Sequence, residues 1–192
     1  MSEGLYRLLF WTAVVVGVFV VGASVHEYLS GARNPGDLAY LDANTLFEDG
    51  EYARALALYD EALAADPNHI HALRGRARSL MQLGRFDEAM VVFDDAIERE
   101  PDFGATYANR GILKDRMGRY REAIADYERA LALDAELADG PHWMTRFLRN
   151  QPHKPPGIAE RAEYLRAELA KPEGRRLLSV PQLDAEQRSY KQ

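Results

Sequence analysis

Four polar side chains in the middle of the chain are spaced so that a helix would carry them on one face. His71, Arg74, Arg78 and Gln82 are separated by three, four and four positions, the spacing at which helical side chains become neighbours. Guanidinium groups bind carboxylates through paired hydrogen bonds, and an amide side chain offers a further donor. The pattern predicts a surface that binds a carboxylate or an extended peptide, and it also fits an ordinary solvated helix face.

Three further polar residues are expected beside this surface, in the segments before and after it. They are Asn44, Asn109 and Arg116. If the face is only solvated, its arginines are expected to pair with nearby carboxylates such as Asp42 or Asp115.

Motifs for catalysis and for cofactor or metal binding are missing from the sequence. It contains no cysteine and no GxGxxG, GxxxxGK[ST], HExxH or GxSxG motif, which excludes thiol nucleophiles and the nucleotide and hydrolase sites of those types. His69 and His71 are two positions apart, so on a helix they diverge by about 200° and cannot share a metal ion. We therefore expect no enzyme activity, no cofactor and no metal site.

The charge of the chain is concentrated in its middle. Residues 36–137 carry 12 Lys and Arg against 21 Asp and Glu, a net charge of −9 in a chain whose total is −6. Nucleic-acid affinity rests largely on neutralising phosphates with basic side chains. Nucleic acid is therefore not expected as a partner, and a protein is.

A period of 34 residues is the strongest pattern in the sequence. Each copy repeats a glycine, an aromatic residue, an alanine, a second aromatic residue and a second alanine. The five columns are Gly50, Gly84 and Gly118; Tyr52, Phe86 and Tyr120; Ala55, Ala89 and Ala123; Tyr59, Phe93 and Tyr127; and Ala62, Ala96 and Ala130. Each glycine is expected to close a helix with a positive φ, while each alanine lets two helices approach and the aromatic residue fills the gap between them.

These columns resemble those of the tetratricopeptide repeat family, whose small residue at the eighth repeat position appears here as Ala43, Ala77 and Gly111. The resemblance implies an all-α fold, a right-handed superhelix of three helix hairpins at residues 36–69, 70–103 and 104–137. It also implies a concave, partner-binding face lined by the first helix of each hairpin, where the polar residues above would lie.

Some members of this family hold a C-terminal carboxylate with a clamp of Lys and Asn side chains. Only Asn44 stands at a matching position of this sequence. Tyr40 and Gly75 replace the expected Lys and Asn, and Ala105 and Asn109 replace the basic pair. A bound peptide is therefore expected to be recognised in another way.

The N-terminal segment, residues 1–30, contains an uncharged apolar stretch of 18 residues from Leu8 to Val25. As a helix it would be roughly 27 Å long, close to the thickness of a bilayer core. We expect a single transmembrane helix in the bacterial inner membrane, with the repeats in the periplasm. A signal peptide cleaved near Val21-Gly22-Ala23 and a soluble helix are the alternatives.

The residues after the repeats are expected to cap them and then to leave the helical array. Residues 138–151 predict a capping helix, whose apolar stripe of Trp143, Met144, Phe147 and Leu148 could instead be a partner-binding face. Residues 152–192 predict a proline-rich linker, a short helix over 157–171 and an extended tail. That tail could wrap along the repeats or be disordered until bound.

Together these features predict a membrane-anchored interaction scaffold, an accessory subunit or assembly factor of a membrane-associated complex. The alternatives are an exported, chaperone-like peptide-binding protein and a structural subunit that docks through its transmembrane helix. Gly17 and Gly22 in that helix lack the GxxxG spacing of close helix packing.

Overall fold

The computed structural model describes residues 3–31, 35–138, 157–179 and 189–190, with the side chains of residues 10–25 in the first helix. The helices are α1 (Glu3–Gly31), α2 (Pro35–Glu48), α3 (Tyr52–Ala65), α4 (Ile70–Gln82), α5 (Phe86–Arg99), α6 (Gly104–Arg116), α7 (Tyr120–Leu133) and α8 (Ile158–Leu169). Two 3₁₀ turns occupy Ala135–Ala138 and Glu173–Arg175. Helices α2 to α7 form three consecutive hairpins, so the all-α helical-repeat part of the predicted fold is supported.

Helix α1 corrects the predicted membrane anchor. Within the described residues, none of the helices combines the length and the apolar character required to cross a bilayer. The predicted transmembrane helix from Leu8 to Val25 is therefore wrong, and so is the single-pass inner-membrane localisation with periplasmic repeats that depended on it.

The turn inside each hairpin depends on the repeated glycine. Gly50, Gly84 and Gly118 have φ angles of 81°, 74° and 76°, the left-handed region that side chains other than glycine disfavour. In the first turn the Glu51 amide donates to the Leu46 carbonyl at 2.9 Å, and the other two turns repeat this bond at 2.9 and 2.8 Å. These bonds satisfy carbonyls at the helix C-terminus and reverse the chain into the next helix, as the sequence predicts.

The repeated alanine and aromatic columns form the interior of the array. All the alanines of these columns, together with Tyr59, Phe93 and Tyr127, have no exposed surface. The Tyr127 ring packs on the preceding helix of its own hairpin, and the Tyr59 ring packs on the first helix of the next hairpin. A Cβ atom at Gly111 would lie 2.6 Å from the Tyr127 ring, and one at Gly75 would lie 2.3 Å from the Tyr59 ring. Glycine is therefore required at both contacts as the rings are placed.

Ion pairs between successive repeats follow the same period. Arg76 Nε lies 2.7 Å from Asp60 Oδ1, and Arg110 Nη1 lies 2.7 Å from Asp94 Oδ1, one repeat later. Arg110 also makes paired bonds of 2.7 and 2.8 Å to Asp126. Each pair joins the first helix of one hairpin to a second helix, and so fixes how neighbouring helices are placed.

Helix α8 packs against the last helix of the array, α7. Ile158, Ala162 and Leu165 are buried in the same apolar cluster as the second and third hairpins. This helix therefore extends the core beyond the repeats. Residues 139–150 lie outside the described residues, and with them most of the predicted capping helix and its apolar stripe of Trp143, Met144, Phe147 and Leu148.

Candidate functional site

Two of the predicted binding residues meet at a single point, the main chain of Tyr190 in the C-terminal tail. The Asn109 side chain donates to the Tyr190 carbonyl oxygen at 3.1 Å and accepts from the Tyr190 amide at 2.7 Å. Arg78 Nη1 donates to the same carbonyl at 3.2 Å. Helix α4 supplies Arg78 and helix α6 supplies Asn109, so the packing of consecutive hairpins brings the two side chains together.

Both residues are buried in the structure, in which the tail residue Tyr190 lies on them. Asn109 has no exposed surface and Arg78 is 5% exposed. The Arg78 guanidinium lies over the Phe47 ring, 4.3 Å from its centroid, an attractive arrangement of a cation on an aromatic face. Within the described residues, Arg78 Nε is buried without a hydrogen-bond partner. The site thus presents donors from both side chains and one acceptor to the main chain of Tyr190.

Arg74, a further predicted binding residue, is engaged elsewhere. It is 1% exposed, forms an ion pair with Glu100 and stacks on Phe103 with its guanidinium 3.8 Å from the ring centroid. His71, one turn earlier, is exposed at the edge of a small aromatic group, 6.0 Å from Tyr40 between ring centroids. The neighbouring rings remove part of the hydration of the imidazole, and this loss, followed by the charge of Arg74, lowers the pKa of His71.

The remaining predicted residues are bonded to one another or to the core. Asn44 accepts a hydrogen bond of 2.7 Å from the Tyr59 hydroxyl, so it supports the interior of the first hairpin. Gln82 accepts a bond of 3.4 Å from Arg116, which links α4 to α6 further along the same helices. The structure therefore joins Arg78 to Asn109 and Gln82 to Arg116, while Asn44, His71 and Arg74 make separate contacts.

A buried ion pair beside this site was missed by the sequence reasoning. Arg161 of α8 makes paired bonds of 2.7 and 2.9 Å to Asp115 of α6, and the Tyr127 hydroxyl donates to the same carboxylate at 3.2 Å. Asp115 was expected to pair with an arginine of the repeats. No periodic signal marks its real partner, because Arg161 lies 46 residues away and outside the repeats.

Tyr190 itself was the second residue missed. Its hydroxyl accepts from the Ile158 amide at 3.2 Å and donates to the Leu137 carbonyl at 3.1 Å. Its ring packs against the main apolar cluster, and burial raises the pKa of its phenol. The only hint in the sequence is an aromatic residue within a polar tail.

The chemistry that this site offers is hydrogen bonding to main-chain groups. In the residues that the structure describes, no cluster of three or more His, Asp or Glu side chains could hold a metal ion. Asn109 and Arg78 bind neutral main-chain groups, and the nearby carboxylate of Asp115 is already bonded to Arg161. The arrangement can hold an extended segment by its main chain.

Comparison with protein-family models finds similarity within the repeat region of the chain. Two models described as tetratricopeptide repeat match residues 46–109 and 104–136. No curated protein matches the chain.

Solved structures agree with this family. The first TPR of Spaghetti (RPAP3) bound to the HSP90 peptide SRMEEVD is 25% identical, with a TM-score of 0.51 over 61% of this chain and 90% of that one. The second TPR of the same protein, bound to the same peptide, is 26% identical, with a TM-score of 0.50 over 53% and 94%. The TPR2B domain of yeast Sti1, in a complex with pHsp70, is 24% identical over 61% and 92%, with a TM-score of 0.51, and shows the fold. Models and structures together support the tetratricopeptide repeat family.

Proposed function

We propose that this tetratricopeptide-repeat chain is a protein-interaction module that binds an extended segment of a partner through Arg78 and Asn109. The observation that carries the proposal is the grip of these two side chains on the main chain of one residue, Tyr190. A side chain that bonds both the amide and the carbonyl of one residue recognises extended backbone in the way a neighbouring β-strand does.

Burial explains why Asn109 suits a ligand site. A fully buried amide without partners costs about 1–3 kcal/mol for each unsatisfied polar group, and Asn109 has no exposed surface. Both of its polar atoms are satisfied by main-chain groups of the segment it holds. Any peptide that supplies a main-chain amide and carbonyl can therefore be bound here, and the identity of its other side chains does not affect these two bonds.

The comparisons support binding of a peptide but point to a different mode of recognition. Tetratricopeptide domains that are 25% and 26% identical are described as bound to an HSP90 peptide. In the family, a clamp of Lys and Asn holds a C-terminal carboxylate, and this chain has Gly75, Ala105 and Asn109 at three of those positions. The proposed ligand is therefore held by neutral main-chain groups and needs no free C-terminus.

This mode of binding suits a scaffold or an assembly factor that holds a subunit by one extended segment. It also suits a chaperone-like protein that binds many sequences, because contacts to the main chain are shared by all peptides. The breadth of the sequences bound distinguishes the two roles: one dominant sequence motif indicates a dedicated partner, and a wide set indicates a chaperone-like role.

The test is selection of linear peptides from a displayed library by the full chain, followed by fluorescence anisotropy with the selected peptides. The selection uses the natural chain and the Tyr190→Ala variant, because Tyr190 occupies the same groups. Asn109→Ala should weaken binding by about tenfold or more, since two buried hydrogen bonds are lost. Asn68→Ala, the same change at an exposed turn, should leave binding unchanged.

Two results would contradict the proposal. One is that neither protein enriches any linear peptide. The other is that selected peptides bind Asn109→Ala as tightly as the natural chain, while circular dichroism shows that this variant is folded. Equal weakening by Asn68→Ala would show that the effect is not specific to the site.

A further inference from the structure

The C-terminal tail is fixed at two separate places, first on α8 and then on the repeats. Near Leu177 the Glu168 carboxylate accepts from the Leu177 amide at 2.9 Å, and the Tyr164 hydroxyl donates to the Leu177 carbonyl at 2.7 Å. Arg161 donates to the Leu178 carbonyl at 3.1 Å. Helix α8 therefore holds the start of the tail by main-chain bonds, and the hydrogen bond from Leu177 lowers the pKa of Glu168.

The second fixed place is Tyr190, which is bonded through every polar group it has. Its amide and carbonyl meet Asn109 and Arg78, while its hydroxyl bridges Leu137 and Ile158. The hydroxyl thus joins the 3₁₀ turn after α7 to the first residue of α8. A tyrosine satisfies this position completely, whereas a phenylalanine would leave the Leu137 carbonyl and the Ile158 amide without this bond.

We propose that Tyr190 is a resident ligand of the peptide-binding groove formed by Arg78 and Asn109. There it competes, within the same molecule, with the partner segment. The proposal rests on the proposed function, because it assigns the Arg78 and Asn109 site to peptide binding. A partner must then displace Tyr190 and supply the same chemistry, an extended main chain that carries a tyrosine side chain. The groove is occupied in the free protein, and a partner binds by exchange.

The cost to a partner follows from the tether. A segment that belongs to the same chain as its binding site acts at an effective concentration on the order of 1 mM. If the same segment binds as a separate peptide with a Kd of roughly 0.1 mM, occupancy by the tail weakens a competing peptide by about tenfold. Replacing Tyr190 in the tail should therefore raise the affinity for a competing peptide by about tenfold.

Amide hydrogen exchange measured by NMR on the full chain tests occupancy directly. The Tyr190 amide donates to a buried side chain, so it should exchange at least about tenfold more slowly than an unstructured amide. Asn109→Ala should abolish that protection, and Asn68→Ala should preserve it. Exchange of the Tyr190 amide at the unstructured rate in the natural chain would overturn the inference and leave the proposed function standing.

A competition experiment tests the consequence, with a fluorescent synthetic peptide of residues 183–192 as the probe. The peptide should bind Tyr190→Ala about tenfold more tightly than the natural chain, with Tyr190→Phe between the two. Adding Asn109→Ala to the Tyr190→Ala variant should remove binding of the peptide. Equal affinity for the natural chain and Tyr190→Ala would overturn the inference, since the tail would then not compete.

The two proposals fail in distinguishable ways. If the peptide does not bind Tyr190→Ala and no library peptide is enriched, the groove is not a peptide site and both proposals are wrong. If library peptides are enriched but Tyr190→Ala does not improve their binding, only the resident-ligand proposal is wrong. A concentration-dependent dimer in sedimentation that is abolished by Tyr190→Ala would show that the tail fills the groove of a second copy, which would overturn competition within one molecule.

Discussion

The ion pair between Asp115 and Arg161 should be the interaction whose loss most damages the joint between the repeats and α8. Both residues are almost fully buried, at 6% exposure each. Asp115→Ala leaves the Arg161 guanidinium buried without its carboxylate. Removing one member of a buried pair costs about 3–5 kcal/mol, because the remaining charge loses its buried counter-ion.

The assay is urea unfolding of the full chain, followed by circular dichroism. With a denaturant slope of about 2 kcal/mol per molar, a loss of 4 kcal/mol lowers the unfolding midpoint by roughly 2 M. The control is Asp95→Ala, the same substitution in a helix, because the ion pair of Asp95 with Arg99 is exposed and such pairs contribute about 0.5 kcal/mol or less.

A double substitution separates the pair from the individual residues. Asp115→Ala with Arg161→Met removes both charges, so no unpaired charge stays buried, and it should be more stable than Asp115→Ala by itself. If Asp115→Ala costs under 1 kcal/mol, or if the double variant is less stable than Asp115→Ala, the reasoning about the unpaired charge is wrong.

Two further predictions concern the interior. Gly111→Ala would place a Cβ atom 2.6 Å from the Tyr127 ring, so it should cost about 1–3 kcal/mol through overpacking and lower the melting temperature. The control is Gly174→Ala, where a Cβ meets nothing within 4 Å, and it should leave the melting temperature unchanged. Equal melting temperatures of the two variants would contradict the packing argument. Burial raises the pKa of Tyr59 to about 12, so the folded state favours the neutral phenol: its contribution is complete below pH 10 and falls as pH rises towards 12. The free energy of unfolding should decrease over that range, and less steeply in Tyr59→Phe, in urea titrations at several pH values; identical slopes in the two proteins would refute the assignment to Tyr59.

The repeated elements were predictable because each copy is governed by local chemistry. The glycine turns follow from backbone sterics, and the structure gives Gly50, Gly84 and Gly118 the positive φ that the period implies. The buried alanine and aromatic columns follow from the spacing of residues on a helix face. Such arguments need no knowledge of distant residues, which is why they succeed for residues 36–137.

The candidate site was only partly predictable, because its decisive contacts are distant in sequence. Asn109 and Arg78 were identified from their helix positions, but Tyr190 lies 81 and 112 residues from them. No period, charge run or motif marks that tail residue. Arg74 was assigned to the same surface since its helical position is equivalent, yet Glu100 and Phe103 engage it.

The apolar N-terminal segment shows what cannot be predicted from composition. Its composition led to a transmembrane helix from Leu8 to Val25, and the described helices of the structure do not support one. Composition indicates that a segment is apolar, but it does not by itself identify what the segment contacts. The repeats support a role in protein interaction without that anchor.

At Gly75 this chain departs from the family's carboxylate clamp for a reason of packing. An asparagine at this position would carry a Cβ atom 2.3 Å from the Tyr59 ring, so the clamp residue cannot be introduced while that ring keeps its place. Tyr59 in turn donates to Asn44, which uses the acceptor of the single matching clamp residue. The packing of the first hairpin therefore disfavours a carboxylate clamp, which agrees with the proposal that a ligand is held through the main-chain contacts of Asn109 and Arg78.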